Sequence, residues 1–311
     1  MENQAFVGAE KVGGVPLSPS SIDASGTAKV NLHGSSADHG LHPGWRGRMN
    51  GPRGDPYGLT AAWTNVGGRP VRSLSAGALS DNYEVVVQAG LGAPGYLVPL
   101  ARHLSQWTRV TLLDLPGWHR GRAYGCPPTL AGVTAAAAGW LEVGDRRRVV
   151  LAGHSTGAQA ALHTALLASD RVVGVILMNP SFDPSARSPR RALAATLRTL
   201  PREPIGAAEV AGPSYLRSGG VQLLGFVRSA MADHCEDHIQ RLTMAALVLT
   251  STRDPFCSPQ WAQHLAALAG ASYRVVEGAH MAQFREPGVT AELIHDATRR
   301  WQASDTPQRQ R

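Results

Sequence analysis

At 311 residues with 43% hydrophobic content, the chain is long enough to bury one large core, and it carries no internal repeat that would read as an array. No run of about 18 apolar residues occurs, and the start MENQAFVGAE has neither a basic n-region nor an apolar h-region, so the expectation is a soluble, cytoplasmic protein without a membrane partner. The net charge of +7 does not argue for nucleic acid: the cations are nearly all scattered Arg, the excess lies wholly outside residues 1–56, and no basic helix or aromatic-interleaved stripe appears.

The three cysteines, Cys126, Cys235 and Cys257, are odd in number and widely spaced, so no disulfide framework is read from them. Nothing in the pattern specifies an oligomeric state.

Residues 1–56 are rich in Gly, Ser, Pro and Asn and lack apolar periodicity, which reads as a disordered tail. His33, His39 and His42 within it are isolated and are not expected to form a metal site. From Thr60 the pattern changes. Thr60 to Val66, a Gly67-Gly68 turn and Arg69 to Leu74 predict a hairpin, and Pro70 predicts that its second strand lies at a sheet edge.

Short apolar runs then alternate with helical patterns, the signature of a parallel sheet wrapped by helices. Tyr83 to Gln88, Arg109 to Leu113, Arg148 to Ala152, Val172 to Met178, Ala246 to Ser251 and Ser272 to Val276 predict six buried strands. Leu97, Leu100, Ala101 and Leu104 at helical spacing, and the run from Ala158 to Ala168, predict crossover helices. The Pro- and Gly-containing stretch at about 183–241 is too long for one crossover and reads as an inserted lid, while residues 304–311 read as a flexible end. One domain over residues 57–303 accounts for the whole pattern.

Gly153-His154-Ser155-Thr156-Gly157 sits between a predicted strand and an Ala-rich helix, the context that the G-x-S-x-G nucleophile elbow requires. A sharp turn there strains Ser155 and lifts its hydroxyl out of the sheet, and glycines at 153 and 157 remove Cβ atoms that would clash. A serine hydroxyl attacks a carbonyl only when a base removes its proton. His280 is the candidate base, because it follows the last strand and opens at the same sheet edge as Ser155. His103, His163, His264 and His295 lie in helical patterns, and the side chain of His154 is expected to point away from that of Ser155.

The base needs a carboxylate to fix its tautomer, and two candidates give the chain order Ser, Asp, His: Asp254, after Ala246 to Ser251, and Asp183, after Val172 to Met178. Either also suits a turn or helix cap. The oxyanion formed on attack needs two preset donors. The backbone N–H of Thr156 is one, and that of Leu91, in Gln88-Ala89-Gly90-Leu91-Gly92, is the candidate second.

Taken in order, Gln88 to Gly92, Asp114-Leu115-Pro116-Gly117, Gly153 to Gly157, Asp254-Pro255 and Gly278-Ala279-His280 resemble the motif series of the α/β-hydrolase fold-1 family over residues 57–303. The resemblance implies an α/β-hydrolase fold, a mostly parallel central sheet flanked by helices with an inserted helical lid. It favours Asp254 as the acid, since the family's acid usually follows the later strand. It implies a cofactor-free, metal-free serine hydrolase acting through an acyl-enzyme on an ester-like small molecule: a carboxyl ester, lactone or thioester. Other activities of the family remain open, among them C-C bond hydrolysis, cofactor-free haloperoxidation, and ligand reception by proteins that keep the triad. Ser155 stands where dehalogenases and epoxide hydrolases carry Asp, which disfavours both.

Two positions depart from the family pattern. Ala89 replaces the usual His before the oxyanion Gly, and Trp118-His119-Arg120-Gly121 follows Asp114 to Gly117, placing Trp118 either in the site wall or in the core.

Three further features have bland readings. Asp233-His234-Cys235-Glu236-Asp237-His238 puts His234 and His238 one helical turn apart, a spacing compatible with zinc but without the H-E-x-x-H arrangement; an exposed polar helix face explains it. Seven arginines between Arg187 and Arg228 suit solvated helix faces better than an anionic-substrate site. Leu193, Leu197, Tyr215, Leu216, Leu223, Leu224 and Phe226 are expected to line an acyl pocket or pack the lid on the sheet.

Overall fold

The computed structural model describes residues 59–79 and 83–305. The tail read over residues 1–56 and most of the flexible end at 304–311 fall outside the described residues.

Strands β1 (Thr60–Val66) and β2 (Arg69–Ala76) form the expected antiparallel hairpin around Gly67-Gly68. The chain continues through β3 (Glu84–Gln88), α1 (Val98–Leu104), β4 (Val110–Asp114), a small hairpin of β5 (Trp118–His119) and β6 (Arg122–Ala123), α2 (Leu130–Val143), β7 (Val149–His154), α3 (Thr156–Leu167) and β8 (Val172–Met178). Four helices follow, α4 (Pro189–Thr199), α5 (Ile205–Ser218), α6 (Gly220–Met231) and α7 (Cys235–Ile239). The sheet resumes with β9 (Ala245–Ser251), α8 (Pro259–Leu268) and β10 (Ser272–Val276), and the chain closes with α9 (Ala282–Arg285) and α10 (Pro287–Asp305).

The main sheet runs β1-β2-β4-β3-β7-β8-β9-β10, parallel from β4 to β10 and antiparallel at β1 and β2. Both of its faces are covered. In β3, Val86 packs into the core on one face with Leu151, Trp140 and Leu162, while Val85 and Val87 pack into the other with Tyr96, Leu100 and Leu112. Burial on both faces is why these strands read as unbroken apolar runs, and each such Val contributes about 1.5–3 kcal/mol.

Two expectations about edges are corrected. Strand β2 is interior, between β1 and β4. Pro70 is tolerated because β4 pairs only with Arg72 to Ala76, so no ladder donor to β4 is needed at position 70. The edges are β1 and β10, and in β10 Ser272, Arg274 and Val275 are exposed, so five of the six apolar runs, not six, are buried.

The hairpin β5–β6 was not legible as strands. Its turn residues Arg120 and Gly121 both have positive φ, 45° and 80°, as a two-residue primed turn requires. It is tied to the helices between β8 and β9, since the Gly121 N–H donates to the Arg217 carbonyl at 2.5 Å and the Gln222 amide donates to the Gly121 carbonyl at 2.6 Å. Among the described residues, no helix is long and apolar enough to cross a membrane.

The helices between β8 and β9 bury less than expected. Phe226 is buried and Tyr215 and Leu223 partly so, but Leu193, Leu197, Leu216 and Leu224 are each 58–86% exposed. These four leucines are therefore not packed on the sheet. The arginines Arg190, Arg191, Arg198, Arg202, Arg217 and Arg228 are exposed as well, whereas Arg187 forms a bidentate pair with Glu236 at 2.5 and 2.6 Å.

Candidate active site

Strands β3, β7, β8, β9 and β10 are parallel neighbours, so their carboxyl ends open together along one sheet edge, where open α/β sheets bind ligands. Ser155 turns the chain from β7 into α3 with φ 59° and ψ −125°, a conformation that L-residues rarely adopt and that the surrounding structure must enforce. The enforcement is close packing. A Cβ at Gly153 would lie 2.0 Å from the Gly157 carbonyl oxygen, and one at Gly157 would lie 2.2 Å from that of Gln88.

The Ser155 Oγ stands 2.9 Å from His280 Nε2, and His280 Nδ1 stands 2.7 Å from Asp254 Oδ2. A carboxylate only accepts, so Nδ1 carries the proton and Nε2 is left to accept from the Ser155 hydroxyl. The Ser155 proton being committed to His280, the Ser181 hydroxyl, 3.0 Å away, is the donor to Ser155 Oγ.

Asp254 is itself fixed on every side. Its Oδ2 accepts from Asn179 Nδ2 at 2.6 Å, and its Oδ1 accepts from the Phe256 N–H at 2.8 Å. Asn179 also donates to Ser251 Oγ at 3.0 Å and accepts from the Gln283 amide. Burial pushes the His280 imidazole down, but the charge and hydrogen bond of Asp254, with Glu203 beyond, hold it above the ordinary histidine range.

Asp183, the other candidate acid, does not reach His280. It accepts from the Ser185 N–H at 2.8 Å and the Ser258 hydroxyl at 2.5 Å, capping the turn Pro184–Ala186. Burial pushes its carboxyl up, and these hydrogen bonds outweigh that and hold it below the usual range.

The two candidate oxyanion donors, the N–H groups of Thr156 and Leu91, lie where β3 and β7 end side by side. Thr156 is the first residue of α3, so its N–H has no intrahelical acceptor. The Leu91 N–H points at the same place but donates to Thr156 Oγ1 at 2.8 Å, so a substrate oxygen has to displace that hydroxyl to receive it. Leu91 has φ 47°, and its carbonyl is held by Trp118 Nε1 at 2.8 Å. Trp118 is thus a buried prop of the Gly90–Gly92 turn.

His154 does face away from Ser155. Its Nε2 lies 2.8 Å from the His280 carbonyl, which only accepts, so the proton is on Nε2 and Nδ1 accepts from the Tyr96 hydroxyl at 2.8 Å. Tyr96 in turn accepts from the Gly90 N–H at 2.7 Å. Burial, with the neighbouring His280, lowers His154 to about 3, keeping it neutral. A single chain of hydrogen bonds therefore links the Gly90–Gly92 turn to the His280 loop.

Sequence reasoning missed Ser181, Asn179, Tyr96 and Glu203. The first two occupy the loop after β8, at the edge where Ser155 sits, and that position is a signal. Glu203 offers none, because it lies between α4 and α5, far along the chain from the loop it holds.

The sequence matches the alpha/beta hydrolase family over residues 85–293, and the chain belongs to that family. No curated protein matches it. Among solved structures, it is similar to the enol-lactonase from Burkholderia xenovorans LB400, at 20% identity and a TM-score of 0.61, covering 76% of this chain and 99% of that one. It is also similar to a putative lipase from Acinetobacter baumannii AYE, at 16% identity and a TM-score of 0.67 over 80% of this chain and 94% of that one. A thermophilic esterase from Thermogutta terrifontis aligns at 19% identity and a TM-score of 0.61 over 78% and 99%. Likenesses at these identities concern the fold.

Proposed function

We propose that the protein is a serine hydrolase that cleaves an ester-like small molecule, a carboxyl ester, lactone or thioester, through an acyl-enzyme on Ser155. The observation that carries this reading is the unbroken series Ser155 Oγ, His280, Asp254, at 2.9 and 2.7 Å, with the carboxylate wholly buried.

In this reading His280 Nε2 takes the hydroxyl proton as Ser155 Oγ attacks the acyl carbon, and Asp254 stabilises the imidazolium without taking the proton itself. The carbonyl oxygen becomes an oxyanion and is received by the N–H groups of Thr156 and Leu91, the latter released from Thr156 Oγ1. The tetrahedral intermediate collapses, the leaving alkoxide or thiolate receives the proton from His280, and the acyl group stays on Ser155. Water, deprotonated by the same imidazole, then attacks the acyl-enzyme and releases the carboxylic acid. The helical segment between β8 and β9 acts as the lid over this edge.

Reaction with a fluorophosphonate and turnover of a short-to-long acyl ester series test the reading, comparing wild type with Ser155→Ala and His280→Ala. Labelling and turnover in wild type, each lost by about 10³-fold or more in both variants, are expected. A wild type that binds a ligand without labelling or turning over any ester in the series contradicts it.

A further inference from the structure

The helix that follows Ser155 carries part of a second cluster two turns further on. His163, on α3, places Nε2 at 2.7 Å from Asp233 Oδ1, and His238, on α7, places its Nε2 at 4.0 Å from the same oxygen. The two imidazole rings are 4.8 Å apart between centroids, and one ligand-capable atom from each of the three residues lies within 4.8 Å of the others. The sequence spacing suggested His234 as the partner of His238; the fold replaces it with His163, some seventy residues earlier in the chain.

We propose that His163, Asp233 and His238 form a binding site for a divalent first-row transition ion, Zn²⁺ above all. Two imidazole nitrogens and one carboxylate oxygen are a donor set that Zn²⁺ accepts and that Mg²⁺ and Ca²⁺, which take oxygen ligands, do not. Ligands about 2.0–2.1 Å from a tetrahedral zinc stand about 3.3–3.5 Å from one another. Reaching that spacing needs two small movements. The His163–Asp233 pair opens when the cation replaces the shared proton, and His238, 36% exposed, turns inward. The exposed side of His238 leaves a fourth position for water.

The carboxylate is already aimed. Gln159, one turn before His163 on α3, donates to Asp233 Oδ2 at 3.0 Å, leaving Oδ1 for the ion, and its amide is fixed in turn by the Ala230 carbonyl at 2.9 Å. Such outer hydrogen bonds orient a metal-binding carboxylate. Gln159 is buried, and its Oε1 has no hydrogen-bond partner, so its amide is committed to this arrangement at a cost.

Eight residues of helix separate His163 from Ser155, about 12 Å at 1.5 Å per residue, so the ion takes no part in the acyl chemistry. It joins the end of the α6–α7 segment to the helix whose N-terminus is the candidate nucleophile. The inference is independent of the proposed function and is read by binding, not by turnover.

The test uses the full chain without an affinity tag, stripped with EDTA, exchanged into metal-free buffer and titrated with ZnCl₂ by calorimetry, with MgCl₂ as control. One saturable Zn²⁺ site per chain is expected. His163→Ala and His238→Ala should each weaken it by roughly 10–100-fold or more, and His234→Ala, in the same segment but 53% exposed and outside the cluster, should leave it unchanged. Co²⁺ should give visible d–d absorption in wild type and His234→Ala, and not in His163→Ala. His238 is at the surface, so its variant folds, and a metal-free melting temperature near that of wild type verifies this. The inference is overturned by the absence of a saturable site, by binding that persists in His163→Ala and His238→Ala, as histidines elsewhere would give, or by an equal loss in His234→Ala.

Discussion

The carboxylate of Glu203 accepts the backbone N–H of His280 at 2.8 Å and that of Met281 at 2.9 Å, so a side chain between α4 and α5 grips the loop of the candidate base with both oxygens. It also adds a second negative charge near an imidazole that already faces Asp254. With neutral His280 as the base of the proposed mechanism, activity should be lost as pH falls through its pKa. Since that pKa is raised, the acid limb of kcat/KM lies above the ordinary value of about 6.5. Glu203→Gln removes one source of stabilisation of the imidazolium and one of two acceptors. The limb should move to lower pH and kcat should fall by about tenfold, equivalent to ~1.4 kcal/mol. A pH–rate profile with an unmoved limb would show that Glu203 only braces the loop.

His154, whose pKa is shifted the opposite way, makes a prediction for stability. Its folded pKa is about 3 against an unfolded value of about 6.5, so between these values the unfolded chain binds the extra proton. Stability from this group is therefore full above about 6.5 and is lost as pH falls towards 3, by roughly 4–5 kcal/mol over the window at 1.36 kcal/mol per unit. His154→Gln can keep both hydrogen bonds, to Tyr96 and to the His280 carbonyl, but cannot titrate. Urea unfolding from pH 8 to pH 4 should fall more steeply for wild type than for this variant. Parallel pH dependences would contradict the neutral-histidine account.

The proposed mechanism gives the two aspartates different roles. Asp254→Asn puts a donor opposite His280 Nδ1 and forces the wrong tautomer, so kcat should drop by about 10³–10⁴-fold with the fold intact. Asp183→Ala should leave kcat within about threefold and lower stability by about 0.5–2 kcal/mol, the usual worth of a cap. Steady-state kinetics and thermal melts of the pair check both; a large kinetic loss in Asp183→Ala would reverse the assignment.

Trp118 supports the Leu91 carbonyl through a single N–H donor. Trp118→Phe keeps an aromatic ring, a smaller one, and deletes the donor, so it should loosen the Gly90–Gly92 turn and lower kcat by about tenfold with little change in KM, because the interaction it supports forms in the transition state. A raised KM with unchanged kcat would instead make Trp118 part of a substrate wall.

Much of the sheet was legible because burial on both faces writes Val and Leu at consecutive positions, as in Val85-Val86-Val87, and the elbow was legible because only glycine fits at 153 and 157. Strand β10 misled, since an edge strand of Val, Tyr and Arg has the composition of a buried one and differs only in its neighbours. Pro70 misled for the reverse reason: the rule against interior proline applies to each ladder position, and β4 starts two residues further on. The separation of Asp254 from Asp183 depends on a contact 26 residues away, and the Glu203 grip and the meeting of His163 with His238 on contacts across more than 70, and periodicity carries no record of those. The exposed leucines of α4 to α6 show the same limit, as helical spacing gives a face but not what the face meets.

The central claim is that Ser155, activated by His280, is the residue acylated. Incubation of the full-length protein with a fluorophosphonate, followed by peptide mass spectrometry, should find a single phosphonylated site at Ser155 in wild type and none in Ser155→Ala, with the rate of labelling in His280→Ala reduced by about 10³-fold or more. Labelling that persists in Ser155→Ala, or that proceeds at the wild-type rate without His280, would contradict it.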